Sequence, residues 1–423
     1  MGTAPSVGSV FSPLDEELGL LPGTLAPRQH EHLVHLASWM PFAKVSAMLA
    51  RLLGVQVGEE TVRRLTQVAG RRVEEGQTQA ASAPWQEERR ATAPPARLVI
   101  SADGAYVPLL NGQWAEVRTL AIGSCLASEA ARTSSEDRVG DLSYFSRMTS
   151  AEHFIELAEV ETRRRCLVQA QQVGAVMDGA GWLQGLVDVH RPDAVRILDF
   201  PHAAEHLSLL LQALQQAGIS LPTHCFSRLL HHLKHRGPGA LLRLASRLPP
   251  QVRERDGVRE QLGYFQKRES QMNSPLFRAQ GWPIGSGSVE SANKLLVQAR
   301  LKGAGMHWQP RNVNPMLALR TGVCNDRWAE LWHMGQRQVS QQQQCQRRER
   351  ARRRRERLLV LRNPLLLTSP VLPPHDLTLA PLPALLSTPP APAATLPGSS
   401  RPSAHHPWKR GPACVPKKTF AKT

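Results

Sequence analysis

Paired cysteines, long apolar runs and acidic residues are what this 423-residue chain has least of. Its six cysteines fall at 125, 166, 225, 324, 345 and 414, with no CxxC pair. That pattern argues against a zinc site or a disulfide framework and suits a reducing cytoplasm. No stretch approaches the roughly 20 apolar residues that span a bilayer, so no membrane partner is expected. The first residues lack the basic-then-apolar order of a signal peptide. Asp and Glu number 35 against 52 Lys and Arg, a net charge of +17. Such a balance suggests a polyanionic partner. The excess is local, however. From Gly335 onward, 16 Lys and Arg stand against 3 Asp and Glu, +13 of the total. Nucleic-acid binding by the rest of the chain therefore needs separate support. With 41% hydrophobic residues, the chain can build a sizeable core in two or three domains.

Residues 1–28 are rich in Pro, Gly and Ser and read as a flexible N-terminus. A helical region spans 29–90, and the Pro-containing segment 82–96 reads as a linker. Strand-like runs follow at 97–110 and 114–124, with Asn111-Gly112 between them as a hairpin turn signal. A third strand is predicted at 142–148. Residues 150–170 have helical periodicity, placing Phe154, Leu157, Ala158 and Glu161 on one side. Two short apolar runs, 174–179 and 194–200, complete an order of three antiparallel strands, helix, strand, helix, strand. From about 203 to 270 the pattern is helical throughout. The segment "GWPIGSGS" (281–288) interrupts it, and another helix begins near Val289. Beyond Trp332 come a Gln run, the arginine run 347–357 and a Pro-rich segment, which predict a disordered tail over 336–423.

Within 29–90, Pro41 suits a first helical position. Val45, Met48, Leu49 and Leu52 form one apolar face, and Gly54 supplies a stop. A second short helix fits 59–70, with Val62, Leu65 and Ala69 inward. Its outward Thr61, Arg63, Arg64 and Gln67 suit phosphates and base edges. The pair reads either as a helix-turn-helix or as a plain helical hairpin.

Three acids sit where ordinary packing explains them incompletely. Asp103 interrupts an apolar strand run. The turn for that hairpin already lies at Asn111-Gly112, so Asp103 more plausibly lies within the strand, with Gly104 marking a bulge or a close approach. Asp178 ends a short strand, where ligands gather in open α/β sheets; a strand-end turn or a helix cap explains it equally. Glu290 opens a helix after Gly285 and Gly287, with Ser286 or Ser288 available as a cap. It also suits the helix dipole or a pair with Lys294. Phosphodiester cleavage by two Mg²⁺ ions needs about three carboxylates from separated segments.

The segments "SADGAYVPL", "MDGAGWLQG", "ILDFPHAAEHL", "GWPIGSGSVESANKLLVQARLKGAGMHW" and "MLALR…RW" resemble bacterial insertion-sequence transposases of the Mutator-like group, IS-Kra type. The resemblance covers about 30–335. It implies a ribonuclease H-like α/β core (97–202 and 281–335) with an all-helical insertion at 203–280, preceded by a helix-turn-helix domain. It also implies an Asp-Asp-Glu site at Asp103, Asp178 and Glu290 holding two Mg²⁺ ions, with Mn²⁺ as a substitute. An Asp-x-x-His signature falls on Asp199 and His202, although Pro201 stands where the group usually has Tyr. Asp199 competes with Asp178 as second ligand. Strand order favours Asp178, because the first strand of such a core lies beside the fourth, which leaves Asp199 and His202 as supporting groups. Lys294, Arg300 and Lys302 are candidates for DNA phosphates or for a solvated helix face. Trp308 would stack on a base or fill the core. The implied activity is cleavage at transposon ends and strand transfer into target DNA, by a homo-oligomer in the bacterial nucleoid. A DNA-binding regulator, a degenerate relic and a structure-selective nuclease are the rivals.

Overall fold

The computed structural model describes residues 25–83, 94–125 and 139–362. Nearly all of the expected loose N-terminus, most of the linker and the Pro-rich segment after Arg362 lie outside the described residues. No helix among the described residues is long and apolar enough to cross a membrane.

The chain is a mixed α/β protein. Three helices come first: α1 (Pro27–Trp39), α2 (Phe42–Leu53) and α3 (Glu59–Ser82). The sheet and its helices follow as β1 (Arg97–Pro108), β2 (Trp114–Cys125), β3 (Val139–Arg147), α4 (Ala151–Arg164), β4 (Gln172–Met177), α5 (Gly181–His190) and β5 (Val195–Leu198). An all-helical stretch comprises α6 (Phe200–Gln216), α7 (Cys225–Arg236), α8 (Gly239–Arg247), α9 (Pro250–Arg253), α10 (Asp256–Lys267) and α11 (Ser274–Ala279). The chain then returns to the sheet through α12 (Gly287–Ala292), a π-helical turn (Asn293–Gln298), α13 (Ala299–Leu301), α14 (Pro310–Cys324) and α15 (Trp328–Arg362).

The five strands lie in the order β3-β2-β1-β4-β5. β2 and β3 are antiparallel, whereas β4 runs parallel to both β1 and β5. The hairpin between β1 and β2 turns where the sequence indicates: in the short connection from Pro108 to Trp114, Asn111 and Gly112 take left-handed φ of 69° and 73°, which Asn and Gly adopt readily. Strand alternation sorts the core. Leu98, Ile100 and Ala102 pack with Phe154, Leu157, Ala158 and Leu183 of α4 and α5. Val99 faces the other way, to Val176, Ile197, Phe277 and Trp282. Ala105 and Val107 continue that second face and meet Val289, Leu296 and Trp308. Gly174 allows the close approach of Trp282, since a Cβ there would stand 2.6 Å from the indole ring. Asp103 lies on this second face, between the two apolar clusters.

Several local expectations change. Pro41 caps α2 rather than opening it, and Leu52 is exposed; Phe42, Val45 and Leu49 make the inward face. The helix after Gly54 does not stop near residue 70. It runs to Ser82, because Val73 continues the apolar row, and glycine at 70 and 76 leaves room for Pro315 and Met334, which an added Cβ would strike. Its second half is thus a spine packed against α14. The chain from 336 to 362, predicted to be disordered, is helical in α15. Gln, Arg, Glu and Ala are all adequate helix formers, and the helix ends just before Asn363-Pro364 in the sequence.

Candidate active site at the ends of three parallel strands

The strand register brings the three aspartates together. Arg97 stands opposite Gln172 and Ile100 opposite Ala175. Carried forward, that register sets Asp103 opposite Asp178. Gly174 stands opposite Val195 and Met177 opposite Leu198, which sets Asp178 opposite Asp199. These registers, carried forward, set the three aspartates at one level of the sheet, Asp103 inside β1 and Asp178 and Asp199 one residue past β4 and β5, on the side where α/β folds place their ligands.

Their environments differ. Asp103 lies inside β1, half-buried. Its Oδ1 accepts from the Gly104 N–H at 2.7 Å, and its Oδ2 accepts from Asn293 Nδ2 at 2.9 Å. Burial pushes its carboxyl up from 3.8 to about 6; the Asp178 charge adds to the rise and His202 opposes it. Gly104 marks a close approach, since a Cβ there would strike the Glu116 carboxylate. Asp178 accepts from the Ala180 N–H at 2.7 Å through Oδ1. It does not cap α5, whose cap position is Ala180.

Asp199 is fully buried and saturated. Its Oδ1 accepts from the Ser286 N–H at 2.6 Å. Its Oδ2 accepts from the His202 N–H at 3.1 Å and from His202 Nδ1 at 2.5 Å. Phe200 donates to the Ile284 carbonyl at 2.8 Å beside it. Asp199 thus caps α6 and ties the 281–288 loop to the end of β5. Pro201 sits in the first turn of α6, where a missing N–H leaves nothing unpaired, so His202 keeps its geometry. The hydrogen bond to Asp199 raises the His202 imidazole from 6.5 to about 9, which makes it a cation at neutral pH.

Glu290 follows on the six-residue α12, half-buried. The charges acting on Asp103 are those of Asp178 and His202, and Glu290 is not among them. Among the described residues, no three Asp, Glu, His or Cys side chains form a metal-holding group. The link between Glu290 and the aspartates is Asn293, one turn on, whose amide reaches Asp103. Asn293 is fully buried, its Oδ1 has no partner, and it starts a π-helical turn, a form enriched at functional sites. Ser286 takes the N-cap position of α12 but makes no side-chain cap bond there, and it spends its N–H on Asp199.

As a test of fit, Asp103 and Asp178 offer hard oxygens from adjacent strands, beside a neutral buried amide oxygen with no donor. That set suits one Mg²⁺ or Mn²⁺ ion, which takes one or two carboxylates and completes its shell with water and phosphate. A second ion would need a third carboxylate, for which Glu290 on α12 is the candidate.

Two predicted DNA contacts are instead structural. Arg300 is only 2% exposed; its Nε donates to the Ala37 carbonyl at 2.9 Å, and its guanidinium lies over Phe42 and Trp308. Trp308 is buried and donates to the Leu301 carbonyl at 3.1 Å. Lys302 is half-buried and burial lowers its ammonium, whereas Lys294 is exposed. On α3, Arg64 is exposed, Thr61 and Gln67 are half-exposed, and Arg63 is held by Glu60.

Two functional candidates escaped sequence reasoning. Tyr264, from α10, donates to the Asp178 carbonyl at 2.7 Å and stacks on His206 with ring centroids 3.5 Å apart. Arg268 donates through Nε to the Gly179 carbonyl at 3.0 Å and lies 4.1 Å over the Tyr264 ring. Gly179 has φ of +89°, and a Cβ there would collide with Arg268. The helical stretch thus clamps the loop that presents Asp178. A usable signal existed: the chain has only 3 tyrosines, and this one stands four residues before an arginine.

No protein-family model matches the chain, and no curated protein matches it.

Proposed function

We propose that the chain is a transposase of the Mutator-like kind, with a ribonuclease H-like core that cleaves and joins DNA phosphodiesters. The observation that carries this reading is the closeness of Asp103, inside β1, to Asp178, one residue past the neighbouring parallel strand β4: burial raises the Asp103 carboxyl to about 6 and the Asp178 charge adds to the rise. Two facing carboxylates are costly without a cation. A divalent ion held by Asp103 and Asp178 would supply Lewis-acid stabilisation of the phosphoryl oxygens.

The protein's own groups do the rest. Asn293 and the Gly104 N–H orient Asp103, while the Ala180 N–H, Tyr264 and Arg268 fix the Asp178 loop. His202, held as a cation by Asp199, adds positive charge near both aspartates and favours an approaching phosphate. In cleavage, a water oxygen bonds to phosphorus, the bond to the 3′-oxygen breaks, and that oxygen leaves as a hydroxyl. In joining, the freed 3′-hydroxyl bonds to a target phosphorus and displaces the target's 3′-oxygen, which takes up a proton from solvent as the attacking hydroxyl gives its own up. Thr61, Arg64 and Gln67 at the start of α3 are the proposed DNA contacts of a helix-turn-helix. Lys294, exposed two turns before the buried Arg300, is the remaining candidate for phosphates near the core. Glu290 is the third acid of the triad in this reading.

The test is Mg²⁺-dependent nicking of DNA that spans the flanks of the chain's own gene. Asp103→Asn, Asp178→Asn and Glu290→Gln should each lower the nicking rate at least 100-fold while DNA binding survives. Full activity in Asp178→Asn, with loss confined to Asp199→Asn, would overturn the assignment. A second reading is a DNA-binding regulator with an inert core, in keeping with the lack of a three-residue metal-holding group among the described residues. Tight DNA binding without metal-dependent cleavage would establish it.

A further inference from the structure

The helical form of α15 sorts the charges of the arginine run. At 100° per residue, Glu349 and Glu356, seven residues apart, fall on one side. Each is bonded by an arginine beside it: Arg353 to Glu349 at 2.6 Å and Arg352 to Glu356 at 3.5 Å. The opposite half of the cylinder carries no acid. Arg350, Arg354 and Arg357 form one row at i, i+4 and i+7, and Arg348 and Arg355 form a second, with Ala351 between. All five arginines are exposed, and none is bonded to a carboxylate among the described residues. They span about 14 Å of helix axis.

We infer that this half-cylinder binds the phosphate backbone of double-stranded DNA, independently of base sequence. Guanidinium forks match phosphate oxygens, and each phosphate neutralised releases condensed counterions. The helix, about 10–12 Å across, fits the B-form major groove, which is about 12 Å wide. The A-form major groove is too narrow and deep, so duplex RNA is the poorer partner. Between Arg348 and Arg357 no large apolar side chain is present, so a membrane surface would gain no buried area. Like charges at i, i+4, such as Arg350 and Arg354, weaken the free helix. A polyanion along the stripe removes that repulsion and orders the segment as it binds. The inference holds whether or not the core cleaves DNA.

The experiment measures binding of the full chain to a random-sequence 20-base-pair duplex between 50 and 200 mM salt. Its partner is the variant R348Q/R350Q/R354Q/R355Q/R357Q, in which Gln preserves helix propensity. Five lost phosphate contacts should flatten the slope of log affinity against log salt by about 4 and weaken binding more than 100-fold at 50 mM salt. The matching five-lysine variant should keep the slope, which separates charge from folding. An unchanged slope in the Gln variant overturns the inference. So does loss of the slope in the Lys variant, or equal or tighter binding of duplex RNA, poly-glutamate or phosphatidylserine vesicles by the native chain.

Discussion

Strands β4 and β5 run side by side, and an aspartate follows each at the same level of the sheet, yet the two aspartates have opposite surroundings. Asp199 is wholly buried, with both oxygens taken by Ser286 and His202. Asp178 is half-buried and accepts a single N–H through one oxygen. A strand-end carboxylate is thus not defined by its position. What separates a ligand from a brace is how many donors the fold has already aimed at it. Asp199 fixes the loop that leads to Glu290, and Asp178 is held from behind, through its own carbonyl and that of Gly179, with its carboxylate left open.

The comparison breaks most sharply in stability. Asp199→Ala leaves a half-buried imidazolium unpaired and frees the 281–288 loop, so urea denaturation should show a loss of about 3–5 kcal/mol. Asp178→Ala should cost less than about 1 kcal/mol, and equal losses would erase the distinction. A second test uses metal. At pH 7 the ionised Asp103 opposes folding, so Asp103→Asn should raise stability by up to about 2 kcal/mol, discounted for partial exposure. Mg²⁺ or Mn²⁺ should raise the melting temperature of the native chain, but not of Asp103→Asn or Asp178→Asn. A rise that persists in both variants would place the cation elsewhere.

The third test is pH. Folding raises His202 from 6.5 to about 9, so the stabilisation from its pair with Asp199 is complete below pH 6.5 and is lost as pH rises through about 9. Chemical denaturation from pH 6 to 10 should show this decline, and His202→Gln should flatten it. The Asp103 shift, from 3.8 to about 6, has the same sign in a lower window: stability falls as pH rises from about 4 to 6. The smallest effect expected is that of Tyr264→Phe, which removes one hydrogen bond to the Asp178 carbonyl, about 1 kcal/mol. If the clamp serves the site, nicking should fall further than stability.

Much of the sheet was legible beforehand because its signals are local. Asn111-Gly112 marked the hairpin, the Leu98 to Val107 alternation marked β1, and Phe154, Leu157, Ala158 and Glu161 marked the buried face of α4. Errors came where local pattern met distant packing. Leu52 belonged to the apolar row of α2, yet nothing covers it. Arg300 and Trp308 looked like nucleic-acid contacts, but Arg300 reaches the Ala37 carbonyl from across the chain and shares a cluster with Trp308 and Phe42. The periodic pattern fitted a short helix over 59–70, but α3 runs on to Ser82, with α14 and α15 approaching it closely at Gly70 and Gly76.

The sequence by itself determined the strand runs of the sheet, the hairpin turn at Asn111-Gly112, and that Asp103 interrupts one strand-like run while Asp178 and Asp199 close two others. Those features depend on side-chain period and on backbone angles within a few residues. Only the tertiary structure decided which aspartate stays open. That choice depends on donors brought from far along the chain: Ser286 to Asp199, Asn293 to Asp103, and Tyr264 to the backbone of Asp178. Hydrogen-bond saturation is a property of the assembled neighbourhood, and a one-dimensional pattern carries no record of it.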